Sequence, residues 1–193
     1  MKPSYSKALI IGASLHACDA ADLAQVRALF AALDQGEAPD VVVYNPSRRV
    51  RGPLVELDAE EAARAVQVTA VGAFFAAQEA ARRMLPRGHG AILLTGASAG
   101  VKGYAQSAPF AMGKFALRGL AQSMARELHP RGIHVGHVVI DGGIRSARRP
   151  EPDDRPDSLL DPDAIAQSYW ELLGQDRSAW AWEIELRPWV ETF

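Results

Sequence analysis

One cysteine, Cys18, in a chain of 193 residues excludes an internal disulfide. Long hydrophobic runs are also lacking. Ala8 to Ile11, the longest early apolar run, is too short for a signal-peptide core or a membrane-crossing helix, so the expected location is the cytoplasm. Charge of one sign does not dominate either: 21 Lys and Arg face 23 Asp and Glu, a net charge of −2 that gives no pull toward nucleic acid or an anionic membrane. No internal repeat, low-complexity tract or second domain is legible. What is there is an ordinary globular composition, 48% hydrophobic and 23% charged. The length suits one domain, 1–193, that buries roughly 70% of its unfolded surface.

The most informative stretch is Gly90 to Leu128, GAILLTGASAGVKGYAQSAPFAMGKFALRGLAQSMAREL. It predicts a buried strand over Ala91 to Thr95, a glycine-rich turn to Gly103 and a long helix opening near Pro109. Ser107 is placed to cap that helix with its hydroxyl, and proline is tolerated in a first turn where its missing N–H costs nothing. Phe110, Lys114, Leu117, Met124 and Leu128 share one helical face. A lysine on an otherwise apolar stripe calls for an explanation.

The strand, the glycine turn, the helix carrying Lys114 and the following strand at Ile133 resemble the short-chain dehydrogenases and reductases. The resemblance covers most of residues 7 to 187. It implies an α/β fold, a Rossmann-like doubly wound parallel sheet, and an oxidoreductase using NAD or NADP. In that family a Tyr-x-x-x-Lys pair opens the helix; here Phe110 stands where the tyrosine belongs. The phenol would be the general acid or base, its pKa lowered by the neighbouring ammonium, and phenylalanine offers no proton. By the same resemblance Ala97 falls on the family serine, with Ser98 beside it as a substitute, and Thr69 on the catalytic asparagine. Of the four positions, Lys114 alone is unchanged.

The cofactor side departs as well. Lys7 to Ser14 looks like a first parallel strand running into a glycine turn, with Gly12 and Ser14 at the cofactor. After them Leu15 to Asp19 looks like the family's third strand, which places Asp19 at the cofactor too. The remaining glycines, a helix, a strand and a second helix have no counterpart, about 40 residues at ordinary element lengths. Neighbouring parallel strands need a crossover of roughly a dozen residues or more, so the two pieces cannot both hold family positions across the joint at 14/15. Either Lys7 to Cys18 refolds as one long strand or an irregular link, or the parent protein carries a segment that this chain lacks. Asn45 matches the family's turn after the next strand. Gly142, Ile144 and Ser146 match the segment that holds the nicotinamide, with Asp141 in place of its proline.

Further along, Leu23, Val26, Leu29, Phe30 and Leu33 lie on one face of a helix ended by Gly36. Asp58 begins another in a capping box with Glu61, running to about Leu85. Its small residues Ala70, Gly72, Ala73, Ala76, Ala77 and Ala80 either admit a second helix or pack on the sheet. The resemblance implies a homodimer or homotetramer through helices 59–85 and 109–128. His134 and His137, three apart on a strand, point to opposite faces and argue against a metal site. Residues 146–161, rich in proline, read as a mobile loop over the cleft or as a linker. Pro162 onward predicts a helix, and Trp180 to Arg187 a last strand. Arg48, Arg49 and Arg51 after one strand and Arg145, Arg148 and Arg149 after another read as solvated surface charge or as an anion site for a small-molecule ligand.

Three functions follow as expectations: an oxidoreductase-family protein with weak or absent conventional activity that holds a nucleotide or small ligand; a working reductase using water, Ser98 or a substrate group for the missing phenol; or a noncatalytic dimerisation or regulatory partner.

Overall fold

The computed structural model describes residues 5–12, 16–34, 36 and 38–191. In chain order the main elements are β1 (Ala8–Ile11), α1 (Leu23–Leu33), β2 (Val41–Tyr44), α2 (Ala59–Val66), α3 (Gly72–Met84), β3 (Gly90–Thr95), α4 (Ala108–Leu128), β4 (Ile133–Ile140), the short pair β5 (Gly143–Ile144) and β6 (Leu159–Leu160), α5 (Pro162–Leu173) and β7 (Glu183–Leu186). β1, β2, β3, β4 and β7 form one parallel sheet in that order. Strands buried on both faces need near-continuous apolar runs, which Val41-Val42-Val43 and Ile92-Leu93-Leu94 supply.

Side-chain alternation splits the interior into two cores of unequal size. Ile92 and Leu94 face α1, α3 and α4, where Val26, Phe30, Met84, Leu117 and Leu128 complete the larger core. Leu93, Val138 and Ile140 face the other way, onto α5 and its Leu172. Of the five predicted apolar positions on α1, Val26 and Phe30 are the buried ones. The small stripe of α3, with Ala70 ahead of it, is buried inside this one chain, so packing within the fold accounts for all six residues.

Two expectations are corrected. Residues 16–19 form no strand; they belong to an irregular link that reaches α1. No room exists for a crossover there, and β1 pairs with β2 instead. Ser107 does hold the capping position of α4, but its hydroxyl caps nothing: its Oγ is buried without a hydrogen-bond partner among the described residues. Asp22 and Asp58 cap α1 and α2 by accepting from first-turn amides, as carboxylates at those positions should.

α1 is tied to α3 by charge. Arg83 reaches Asp34 at 2.6 Å and the buried Glu79 at 2.8 Å, while Arg82 reaches Glu79 at 2.7 Å. Burial alone would raise the Glu79 carboxyl, yet Arg83 and Arg82 hold it below the usual carboxylate range. Glu79→Ala leaves Arg83 half-partnered at low exposure and is expected to destabilise the protein by about 3 kcal/mol in urea unfolding at pH 7. Because the folded carboxyl titrates low, that difference should be fully present above the unfolded carboxylate's range and be lost as pH falls below it, through the lower folded value.

Candidate functional site

Three segments meet at the carboxyl end of β3. The first is Gln67–Val71, where the helix running from α2 to α3 widens into one π-turn. Such a turn redirects side chains, and here it turns Thr69 inward, 1% exposed. Thr69 Oγ1 lies 3.5 Å from Ser47 Oγ and accepts from the Arg48 amide at 3.3 Å. The second segment is the turn from Gly96 to Gly100. A Cβ on Gly100 would lie 2.9 Å from the Lys114 carbonyl oxygen, so glycine there lets the turn sit against α4. The third is α4 itself, which passes Thr69 at Gly113.

Lys114 is 3% exposed, and its Nζ donates to the Thr95 carbonyl at 2.7 Å. Burial pushes its pKa down to about 8. Its Nζ lies 5.9 Å from the centre of the Phe110 ring, and the Arg49 guanidinium lies 5.1 Å from the same ring. Two cations therefore flank an aromatic ring that carries no hydroxyl. Ala97 and Ser98 sit half-buried between Thr95 and Gly100, both of which touch Lys114. Lys114, Phe110, Ala97, Ser98 and Thr69 are thus brought together. Chemically, the cluster can hold a cation at a carbonyl, but its ring can neither give nor accept a proton.

One neighbour went unread in the sequence. Tyr169 of α5 is hydrogen-bonded through its hydroxyl to Thr95 Oγ1 at 2.8 Å, from the opposite face of the sheet to Lys114. Burial pushes its phenol up to about 12, which suits a clamp and not a base. Its spacing from Ile165 and Leu172 marks only an inward helical face, so no sequence signal singles it out. Tyr104 is exposed in the turn before α4.

Of the residues expected at a cofactor, Gly12 and Asn45 lie side by side at the ends of β1 and β2, with the Asn45 amide donating to the Ile11 carbonyl at 3.1 Å. Gly142 packs on Pro188, Ile144 pairs with Leu160 across β5 and β6, and Ser146 bridges to Arg149. Asp19 stands apart. It is ion-paired with Arg64, and its carboxyl lies below the usual range chiefly through a hydrogen bond from the Ala21 amide. Ser14, like the 14/15 joint, lies outside the described residues. Two of the six rim arginines are already neutralised, Arg48 by Glu61 and Arg145 by Asp161. His134 stacks on Trp180, and His137 bonds Glu183 at 2.9 Å. Among the described residues no group of three metal-ligating side chains forms, and no helix is long and apolar enough to cross a membrane.

The short chain dehydrogenase family model matches residues 7–153. The chain is 30% identical over 139 residues to the 3-oxoacyl-[acyl-carrier-protein] reductase MabA of Mycobacterium avium, covering 72% of this chain and 54% of that one. It is 37% identical over 114 residues to the cyclic-di-GMP-binding biofilm dispersal mediator protein of Escherichia coli, covering 58% and 47%. It therefore spans about half the length of these curated relatives. Among solved structures, a short-chain dehydrogenase from Rhodopseudomonas palustris superposes with a TM-score of 0.77 at 36% identity, covering 90% of this chain and 74% of that one. A metagenomic short-chain oxidoreductase in complex with NADP shares the fold, with a TM-score of 0.76 at 24% identity over 90% of this chain and 73% of that one.

A dinucleotide's pyrophosphate needs free amides at a helix opening just after β1. Among the described residues the next helix is α1, two of whose first-turn amides, those of Ala24 and Gln25, are already taken by the Asp22 carboxylate, with Asp19 close by. A phosphate there would meet two carboxylates, so the residues described do not fit that half of the cofactor. The frame of sheet, glycine turn and lysine helix, together with the match over residues 7–153, leaves no other assignment for the scaffold: the chain belongs to the short-chain dehydrogenase family.

Proposed function

We propose that this protein uses the scaffold of a family of oxidoreductases with weak or no conventional NAD(P)-dependent activity, and holds a nucleotide or another small ligand at the carboxyl ends of its strands. The observation that carries this reading is the Phe110 ring beside Lys114, at the place where the family keeps its acid. Ala97 removes a further hydroxyl, Thr69 puts a hydroxyl that accepts from the Arg48 amide where the family has an asparagine, and Lys114 is committed to the Thr95 carbonyl. A relative named for binding cyclic-di-GMP supports a ligand role that needs no hydride transfer.

The test is an assay of NADH and NADPH oxidation with simple ketones and aldehydes. No turnover above background is expected, from the wild type or from Phe110→Tyr, because the described residues after β1 offer no fit to a pyrophosphate either. Turnover at ordinary enzyme rates, about 1 per second or faster, that Lys114→Ala abolishes would overturn the reading.

The chain is further proposed to pair as a homodimer or homotetramer through the outer sides of α3 and α4. Phe74, Met112 and Phe115 of these two helices are exposed large apolar side chains. Phe115→Glu should shift the sedimenting species to monomer; an unchanged sedimentation coefficient would argue against this contact.

A further inference from the structure

The two faces of the sheet are covered unequally. On the α5 side, Ala8 and Ile10 of β1 are exposed, Ile10 at 54%, although both lie in the sheet beside β2. Val41 and Val43 line the same face, and α5 forms one wall through Ile165, Ala166 and Tyr169. The result is a trough of about 520 Å³, within the range of small-molecule sites. It lies on the opposite face of the sheet from the Lys114 ammonium.

We propose that this trough binds an uncharged, elongated apolar molecule bearing one hydroxyl or carbonyl group. The wall chemistry fixes the class. The Lys7 ammonium is turned away, donating to the Leu33 carbonyl at 3.4 Å, and among the described residues no other lysine, arginine or acidic residue lines the trough. A charged ligand would therefore lose its hydration without a counter-charge. At the carboxyl ends of β2 and β3 the polar groups are Asn45 and the Thr95 and Tyr169 hydroxyls; at the other end Tyr5 and Ser6 line the trough, with the Ser6 hydroxyl donating to Asp40. The mutual bond of Thr95 and Tyr169 uses one of two O–H donors, so one donor and several lone pairs remain for a ligand's oxygen. Four residues of strand give a run of about 13 Å, the reach of a chain of about ten carbons at ordinary bond lengths. The proposal does not require redox chemistry: of the groups around Lys114 it uses only Thr95, and of the residues expected at a cofactor it shares Asn45 and Ile144.

The experiment is isothermal titration of the full chain with 1-decanol and, separately, with decanoate. Decanol should bind saturably at one site per chain, and decanoate at least ten-fold more weakly. Ala166→Trp fills the trough from an exposed position on α5, so the fold should persist by circular dichroism while decanol binding falls at least ten-fold. Tyr169→Phe should weaken decanol about five-fold. Equal binding of the two probes, or unchanged decanol binding by Ala166→Trp, would overturn the proposal. So would a dimer at the titration concentration that Ala166→Trp dissociates, since the face would then be an interface between copies.

Discussion

Gly72→Ala is expected to cost the fold about 3 kcal/mol, read as a lowered urea midpoint with an unchanged slope. The added Cβ would lie 2.4 Å from the Ala20 carbonyl oxygen and 2.5 Å from the Tyr44 hydroxyl. Neither is the loose end of a flexible chain. Tyr44 is 1% exposed, and its hydroxyl donates to the Val68 carbonyl within the π-turn. Burial raises this phenol, so it stays a donor at every pH of interest. Displacing it would break that bond inside the core and unseat the turn that aims Thr69. Gly72→Ala should therefore also move Thr69 relative to Gly113, seen as altered amide shifts across residues 67–71 and 113. A midpoint within about 0.5 kcal/mol of wild type would show that α3 can back away from the link at Ala20.

The second large effect concerns pH. The Lys114 ammonium titrates near 8 in the folded protein, through burial, against an ordinary value of 10.5. Between those values the unfolded chain binds more protons than the folded one, so stability rises with pH, by up to about 1.4 kcal/mol per unit. From pH 8 to 9.5 the wild type should gain about 1.6 kcal/mol relative to Lys114→Met, whose curve lacks this contribution. Above pH 10 the buried phenols of Tyr5, Tyr44 and Tyr169 oppose the trend, because the unfolded chain loses those protons first. Parallel stability curves for the two proteins would mean that the ammonium is better solvated than its 3% exposure implies.

Much of the frame was legible from local rules. Val41-Val42-Val43 and Ala91 to Leu94 declared parallel strands by their unbroken apolarity, and Asp58 stands before the helix it caps. Lys114 stood out because a charge on a buried stripe violates the pattern around it. The remainder depended on contacts between distant segments. A π-turn leaves no periodic trace when its residues are Gln, Val, Thr, Ala and Val, and Ser107 was misread because burial, invisible in one dimension, deprives its hydroxyl of partners. The strand assigned to residues 15–19 failed on its described part for a geometric reason: the place beside β2 was already taken by β1. Tyr169 reaches Thr95 over 74 positions of sequence, a pairing that no spacing rule supplies.

β1 is four residues long and is one of the two edge strands, so one row of its N–H and C=O groups meets no other strand among the described residues. A free row of this kind is a template for aggregation. Its brevity, Lys7 immediately before it and the Gly12 backbone at φ +106 immediately after it act as gatekeepers that deny a foreign strand a long straight run. Colloidal behaviour at high concentration should therefore hinge on Lys7, a residue with no part in the chemistry of the cleft.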